Sequence, residues 1–87
     1  MRKFCKELLK KFFHQHLIRT RDKLAWTQAE MAKILEMDER SFIDLDHGKN
    51  GCSGLTLALY LTYCCDDPVK FLDDFKAIYE KEARLTV

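Results

Sequence analysis

The chain has 87 residues, 47% of them hydrophobic and 33% charged, with three glycines, one proline and a formal net charge of +1. That length holds one core and leaves no room for a second, and so few helix breakers suit a compact helical domain better than a disordered or strand-rich one. The near-zero net charge gives no whole-molecule pull toward nucleic acid, membrane or an acidic substrate, so such a partner must be read from local charge.

From Phe4 onward apolar residues fall in pairs, Phe4/Cys5, Leu8/Leu9, Phe12/Phe13 and Leu17/Ile18. This four-residue recurrence predicts one long helix, or two in line, with a single apolar face. Lys3, Lys6, Lys10, Lys11, Gln15 and Arg19 lie off that face. Residues 1–23 carry eight Lys or Arg against Glu7 and Asp22, a local net charge of +6. Such a run is either a phosphate-facing surface or the solvated face of an amphipathic helix, and only its position in the fold decides which. The charged start and the lack of a continuous apolar run predict neither a signal peptide nor a membrane span.

Thr27-Gln28-Ala29-Glu30 has the form of a capping box, in which the Thr27 hydroxyl accepts from a first-turn amide and Glu30 reaches back to the Thr27 amide. The helix it opens carries Met31, Ile34 and Leu35 inward and ends near Leu35, because Asp38 is positioned to cap another short helix with Phe42 and Leu45 inside. His47-Gly48 ends that second helix, glycine supplying the left-handed conformation common just past a helix. Ser53 caps a fourth helix bearing Leu55, Leu57, Ala58, Leu59, Leu61 and Tyr63, apolar on most sides and therefore expected to be central. Asp67-Pro68 marks the start of the last helix, where proline at the first helical position gives up no hydrogen bond. Phe71, Leu72, Phe75, Ile78 and Tyr79 form its stripe. The N- and C-terminal stripes are expected to cover each other, within one chain or across a dimer.

Residues 36–47 are acidic, with Glu36, Asp38, Glu39, Asp44 and Asp46 against Arg40 alone. Cys5, Cys52, Cys64 and Cys65 match neither zinc-ligand spacing nor a disulfide framework, so reduced thiols and a cytoplasmic location are expected. His14, His16 and His47 read as exposed or partly packed side chains, and Trp26 and Tyr63 as core or rim. There is no glycine-rich phosphate loop, metal-ligand spacing or nucleophile–histidine arrangement, so no enzyme, metal or cofactor is indicated. The vicinal Cys64-Cys65 could be redox-active, but Cys64 continues the apolar face of the fourth helix and reads as packing.

Arg21, then six residues, then Gln28 directly after Thr27, followed by Met31-Ala32, Leu35, Asp38, Phe42, Leu45, Asp46, Gly48, Lys49 and a leucine-rich helix, resembles the lambda-repressor/Cro-like helix-turn-helix family. This family is also called the xenobiotic-response-element family. The resemblance runs without a gap from about Leu17 to Cys64. It implies an all-α fold, a compact five-helix lambda-repressor-like DNA-binding domain with an extended N-terminal helix and an added C-terminal amphipathic helix. The single domain, 1–87, then has its motif at about 17–64 and flanking helices at 1–16 and 67–84. Ala32 is small where the two short helices must cross closely, and Leu35, Met37, Phe42 and Leu45 set the crossing.

In that family the second short helix enters the major groove of double-stranded DNA, while the start of the first and the loop after the second grip phosphates. The resemblance therefore implies a transcriptional regulator binding a palindromic operator as a homodimer, with the N- and C-terminal helices as dimer elements. Gln28, beside the capping Thr27, and Lys49 and Asn50 take the place of phosphate contacts. Glu39, Arg40, Ser41 and Asp44 occupy the base-reading face, with Arg40 suited to a bidentate contact with guanine. Arg21 and Asp46 correspond to a structural ion pair. Three features depart from the pattern: Glu36 stands where the family usually has glycine, Asp46 stands where the family often has a glutamate and is one methylene shorter, and the reading helix presents Glu39 and Asp44 next to Asp38. Carboxylates facing a polyanion oppose binding, so phosphate contacts elsewhere must supply affinity, or the fold serves instead as an antitoxin-like module that docks a basic protein partner.

Overall fold

In a computed structural model, which describes residues 2–86 and the side chains of residues 4–84, the chain forms five helices. These are α1 (Arg2–Leu24), α2 (Gln28–Ile34), α3 (Glu39–Asp46), α4 (Gly54–Tyr63) and α5 (Pro68–Thr86). The described residues contain no strand, and none of their helices is long and apolar enough to cross a membrane. The first element is one continuous helix from Arg2 to Leu24, so residues 2–16 and 17–24 are not separate pieces.

The four helix starts follow from local chemistry. The Thr27 hydroxyl accepts from the Glu30 amide (3.1 Å) while Glu30 Oε1 accepts from the Thr27 amide (3.3 Å), completing the capping box. Asp38 accepts from the Ser41 amide at 2.7 Å, Ser53 from the Thr56 amide at 3.2 Å, and Asp67 from the Lys70 amide at 3.0 Å. Each such cap contributes about 1 kcal/mol, which matters for helices of seven to ten residues that cannot stand alone.

The core draws on every helix. Phe12, Phe13 and Leu17 of α1 meet Met31 and Ala32 of α2, Leu35, Phe42 and Leu45, Tyr60 of α4, Cys64 and Phe71 of α5. The α2 and α3 helices pack closely across the small Ala32, which is 3% exposed, as the sequence predicts. The terminal helices run antiparallel within one chain. Phe12 lies 5.0 Å from Phe71 and 5.6 Å from Phe75 by ring centroid, and His16 lies 4.8 Å from Phe71.

Two expectations need correction. The α4 helix is not central: its buried side chains are Thr56 and Tyr60, whereas Leu55 is 63% and Tyr63 65% exposed and Ala58 also faces solvent. A helix rich in leucine has several apolar faces, and only the line Thr56, Tyr60, Cys64 is buried, with Leu57, Leu59 and Leu61 half-buried against the core. Along α5, Phe71 is buried and Phe75 and Tyr79 are half-buried, but Leu72 and Ile78 are exposed. One long helix can cover only a narrow strip of another.

Candidate nucleic-acid interface

The α2–α3 unit is held by a small polar cluster at the end of α3. Asp46 is 6% exposed; its Oδ2 lies 3.4 Å from Arg21 Nη2 and accepts a 3.0 Å hydrogen bond from the Gln28 side-chain amide. The Asp46 backbone carbonyl accepts from His14 Nε2 at 2.9 Å; because a carbonyl only accepts, that ring nitrogen carries the proton. One residue thus ties α1, α2 and α3 together. The shorter aspartate reaches Arg21 with one oxygen only, and its Oδ1 is buried without a hydrogen-bond partner among the described residues.

This arrangement changes the part expected of Gln28. Its amide is half-buried and spent on Asp46, so it acts first as a link between α2 and α3 rather than as a free surface donor. Thr27 is likewise occupied, its hydroxyl bonded to both the amide and the carboxylate of Glu30.

The turn between α2 and α3 keeps its tight form without glycine. Glu36 adopts φ +53°, its amide bonds to the Lys33 carbonyl (3.2 Å) and the Met37 amide to the Ala32 carbonyl (3.0 Å), which is the Schellman pattern of helix termination. Gly48 ends α3 in the same way at φ +74°, with Gly48 bonded to Leu45 and Lys49 to Asp44. A Cβ at Gly48 would stand 3.0 Å from the His14 ring, so glycine is favoured there by both conformation and space.

Phe42 and Leu45 pin α3 to the core, and the opposite face is open. Glu39, Arg40 and Ser41 are exposed, and Asp44 is partly so. Ser41 is committed to its cap: its hydroxyl donates to Asp38 Oδ2 at 3.1 Å and its amide to Oδ1. Those two bonds hold the Asp38 carboxyl below its usual range, so that charge is fixed next to the open face. Asp44 faces Lys49 at 3.9 Å, which offsets one acid of the face and partly occupies the lysine. Arg40 is the basic group on this face, and Asn50 stands exposed in the loop behind it.

The packing of α1 sets the direction of the basic N-terminal segment. Lys6 and Lys10 of α1 line one cleft of about 430 Å³ with Lys49 and Asn50 of the loop after α3, and Lys10, Lys11 and His14 line a second of about 260 Å³ beside Gly48. Glu7 is the acid in both. The four-residue spacing of Lys6, Lys10 and His14 places them on one helical face, a signal present in the sequence, but the face's direction depends on how α1 packs.

Burial pushes the thiols of Cys64 and Cys52 up, which keeps them protonated and unreactive at neutral pH. All four cysteines are free. No family model matches the chain, and no curated protein or solved structure matches it.

Proposed function

We propose that this chain is a lambda-repressor-like DNA-binding regulator, in which α3 lies in the major groove and Arg40 reads a base edge. The observation that carries the reading is the outward presentation of α3. Glu39, Arg40 and Ser41 are exposed while Phe42 and Leu45 are buried, and Asp46, Arg21, Gln28 and His14 lock the end of the helix to α1 and α2. A reading helix needs such rigidity, because a base contact discriminates only when its geometry is fixed. Glu39 or Asp44 would accept from a cytosine amino group, and Lys49 and Asn50 would grip phosphate.

A homodimer on a palindromic site accompanies this reading, with two copies of α3 about 34 Å apart. The stripes of α1 and α5 are largely used inside the chain, so the dimer contact would fall on what they leave exposed, Val69 and Leu72 of α5, with Leu55 and Tyr63 of α4.

The test is selection from random duplex DNA at low and moderate salt, with the solution mass measured in parallel. A defined half-site should emerge, and Arg40→Ala should lower discrimination at one base pair per half-site by about 5- to 150-fold. The acidic face formed by Asp38, Glu39 and Asp44 favours one other reading, a module that docks a basic protein segment. Failure to bind any duplex at low salt, with retention of a basic peptide that Glu39→Lys abolishes, would establish it instead.

A further inference from the structure

We propose that the N-terminal half of α1 is a backbone clamp for duplex DNA, with Lys6, Lys10 and Lys11 gripping phosphates alongside Lys49 and Asn50. The inference rests on the DNA-binding reading above and adds to it a surface outside the motif. Three observations carry it. First, α1 is one continuous helix, so its basic half is rigidly joined to the half that holds Arg21 against Asp46. Second, α1 packs against the loop that follows α3: a Cβ at Gly51 would stand 3.8 Å from Lys10 Cβ and Cγ, and the His14 ring sits directly over Gly48. The lysines therefore share two clefts with Lys49, Asn50 and Gly48 rather than lying on the far side of the molecule. Third, none of the ion pairs among the described residues uses Lys6, Lys10 or Lys11, and Glu7 is the acid that lines these clefts.

The chemistry fits a polyanion laid along the helix. From Lys6 to His14 is about 12 Å of helix axis, comparable with roughly three phosphates of one DNA strand. Long lysine side chains on a rigid helix follow such a line of charge without needing base contacts, so they add affinity without adding sequence preference. This is the contribution that an acidic α3 lacks. Its carboxylates repel the duplex at the groove, and cations displaced to one side on α1 would meet the flanking backbone.

The experiment compares full-length wild type with two charge-matched variants, Lys6→Gln/Lys10→Gln/Lys11→Gln on α1 and Lys70→Gln/Lys76→Gln/Lys81→Gln on α5. Affinity for a random-sequence duplex and for the selected site is measured across salt, with helicity checked by circular dichroism. The α1 variant should bind both duplexes at least about tenfold more weakly at 0.1 M salt and lose about two to three from the slope of log K against log salt. The α5 variant should keep the wild-type slope, and Glu7→Gln should tighten binding. An unchanged slope in the α1 variant, or an equal fall in both variants, overturns the clamp while leaving DNA binding standing. Absence of duplex binding by the wild type at low salt overturns the clamp and the DNA-binding reading together.

Discussion

Asp46 concentrates three relations in one residue, its carboxylate meeting Arg21 at 25 residues' distance and Gln28 at 18, and its backbone carbonyl meeting His14 at 32. Arg21 is 28% exposed and keeps some solvent, whereas Asp46 is almost wholly buried, so the cost of breaking the pair falls on what is left behind. Asp46→Ala strands the Gln28 amide and leaves a partly covered guanidinium, and urea denaturation should show about 1–3 kcal/mol of lost stability. Asp46→Asn retains the volume and the Gln28 contact and should cost less. A loss under about 0.5 kcal/mol for the alanine variant, the ordinary surface range, would rule out a structural role for the pair. The Arg21–Asp46 pairing is legible in the sequence from the motif alone. The link to Gln28 is not, because a glutamine after a capping threonine reads equally well as a free surface donor until the shorter aspartate draws it in.

At the scale of elements, three helices end on a left-handed residue, and only one of these is glycine. Ala25 (φ +55°) ends α1 with a single bond from its amide to the Arg21 carbonyl, and Glu36 (φ +53°) and Gly48 (φ +74°) end α2 and α3. A side chain in this conformation is disfavoured by about 1–2 kcal/mol, partly offset because glycine loses more freedom on folding. Glu36→Gly should therefore raise stability by about 0.5–1 kcal/mol, seen as a melting point several degrees higher, and Gly48→Ala should lower it. A destabilised Glu36→Gly protein would mean that the turn is not strained. The N-terminal ends of α2 to α5 were all readable, because a cap is a contact within three residues. The stop at Ala25 was not, since no glycine or proline marks it.

On the scale of the whole molecule, α1, α4 and α5 meet around a polar joint inside an aromatic cluster. Tyr60, fully buried, shares hydrogen bonds with His16 Nδ1 (2.5 Å) and Thr20 Oγ1 (2.7 Å), and the His16 ring stacks edge-on to Tyr60 and Phe71. Burial, with Arg19 nearby, holds His16 below its ordinary value of 6.5, and burial pushes the Tyr60 hydroxyl up. A histidine kept neutral makes the folded chain bind fewer protons than the unfolded one. Its share of stability is complete above about pH 7 and declines as the pH falls through 6.5 toward the lower folded value. Denaturation between pH 7.5 and 5 should show this decline, and His16→Gln should flatten it; an unchanged slope would exclude His16 as its source. The Lys23–Asp66 pair that closes the same end is fully exposed and contributes little.

The sequence by itself determined the helical class, the N-terminal caps of α2 to α5, the inward faces of α2 and α3 and the acidic character of the open face. These depend on neighbours within a turn or two, where spacing and side-chain chemistry suffice. Only the tertiary structure decided which of several apolar faces α4 buries, how much of α5 is left uncovered, and where the lysines of α1 point. A helix with two apolar faces, or a charged face with no fixed partner, takes its direction from packing against elements far away in the chain, and that packing set α1 beside the loop at Gly48 and Gly51.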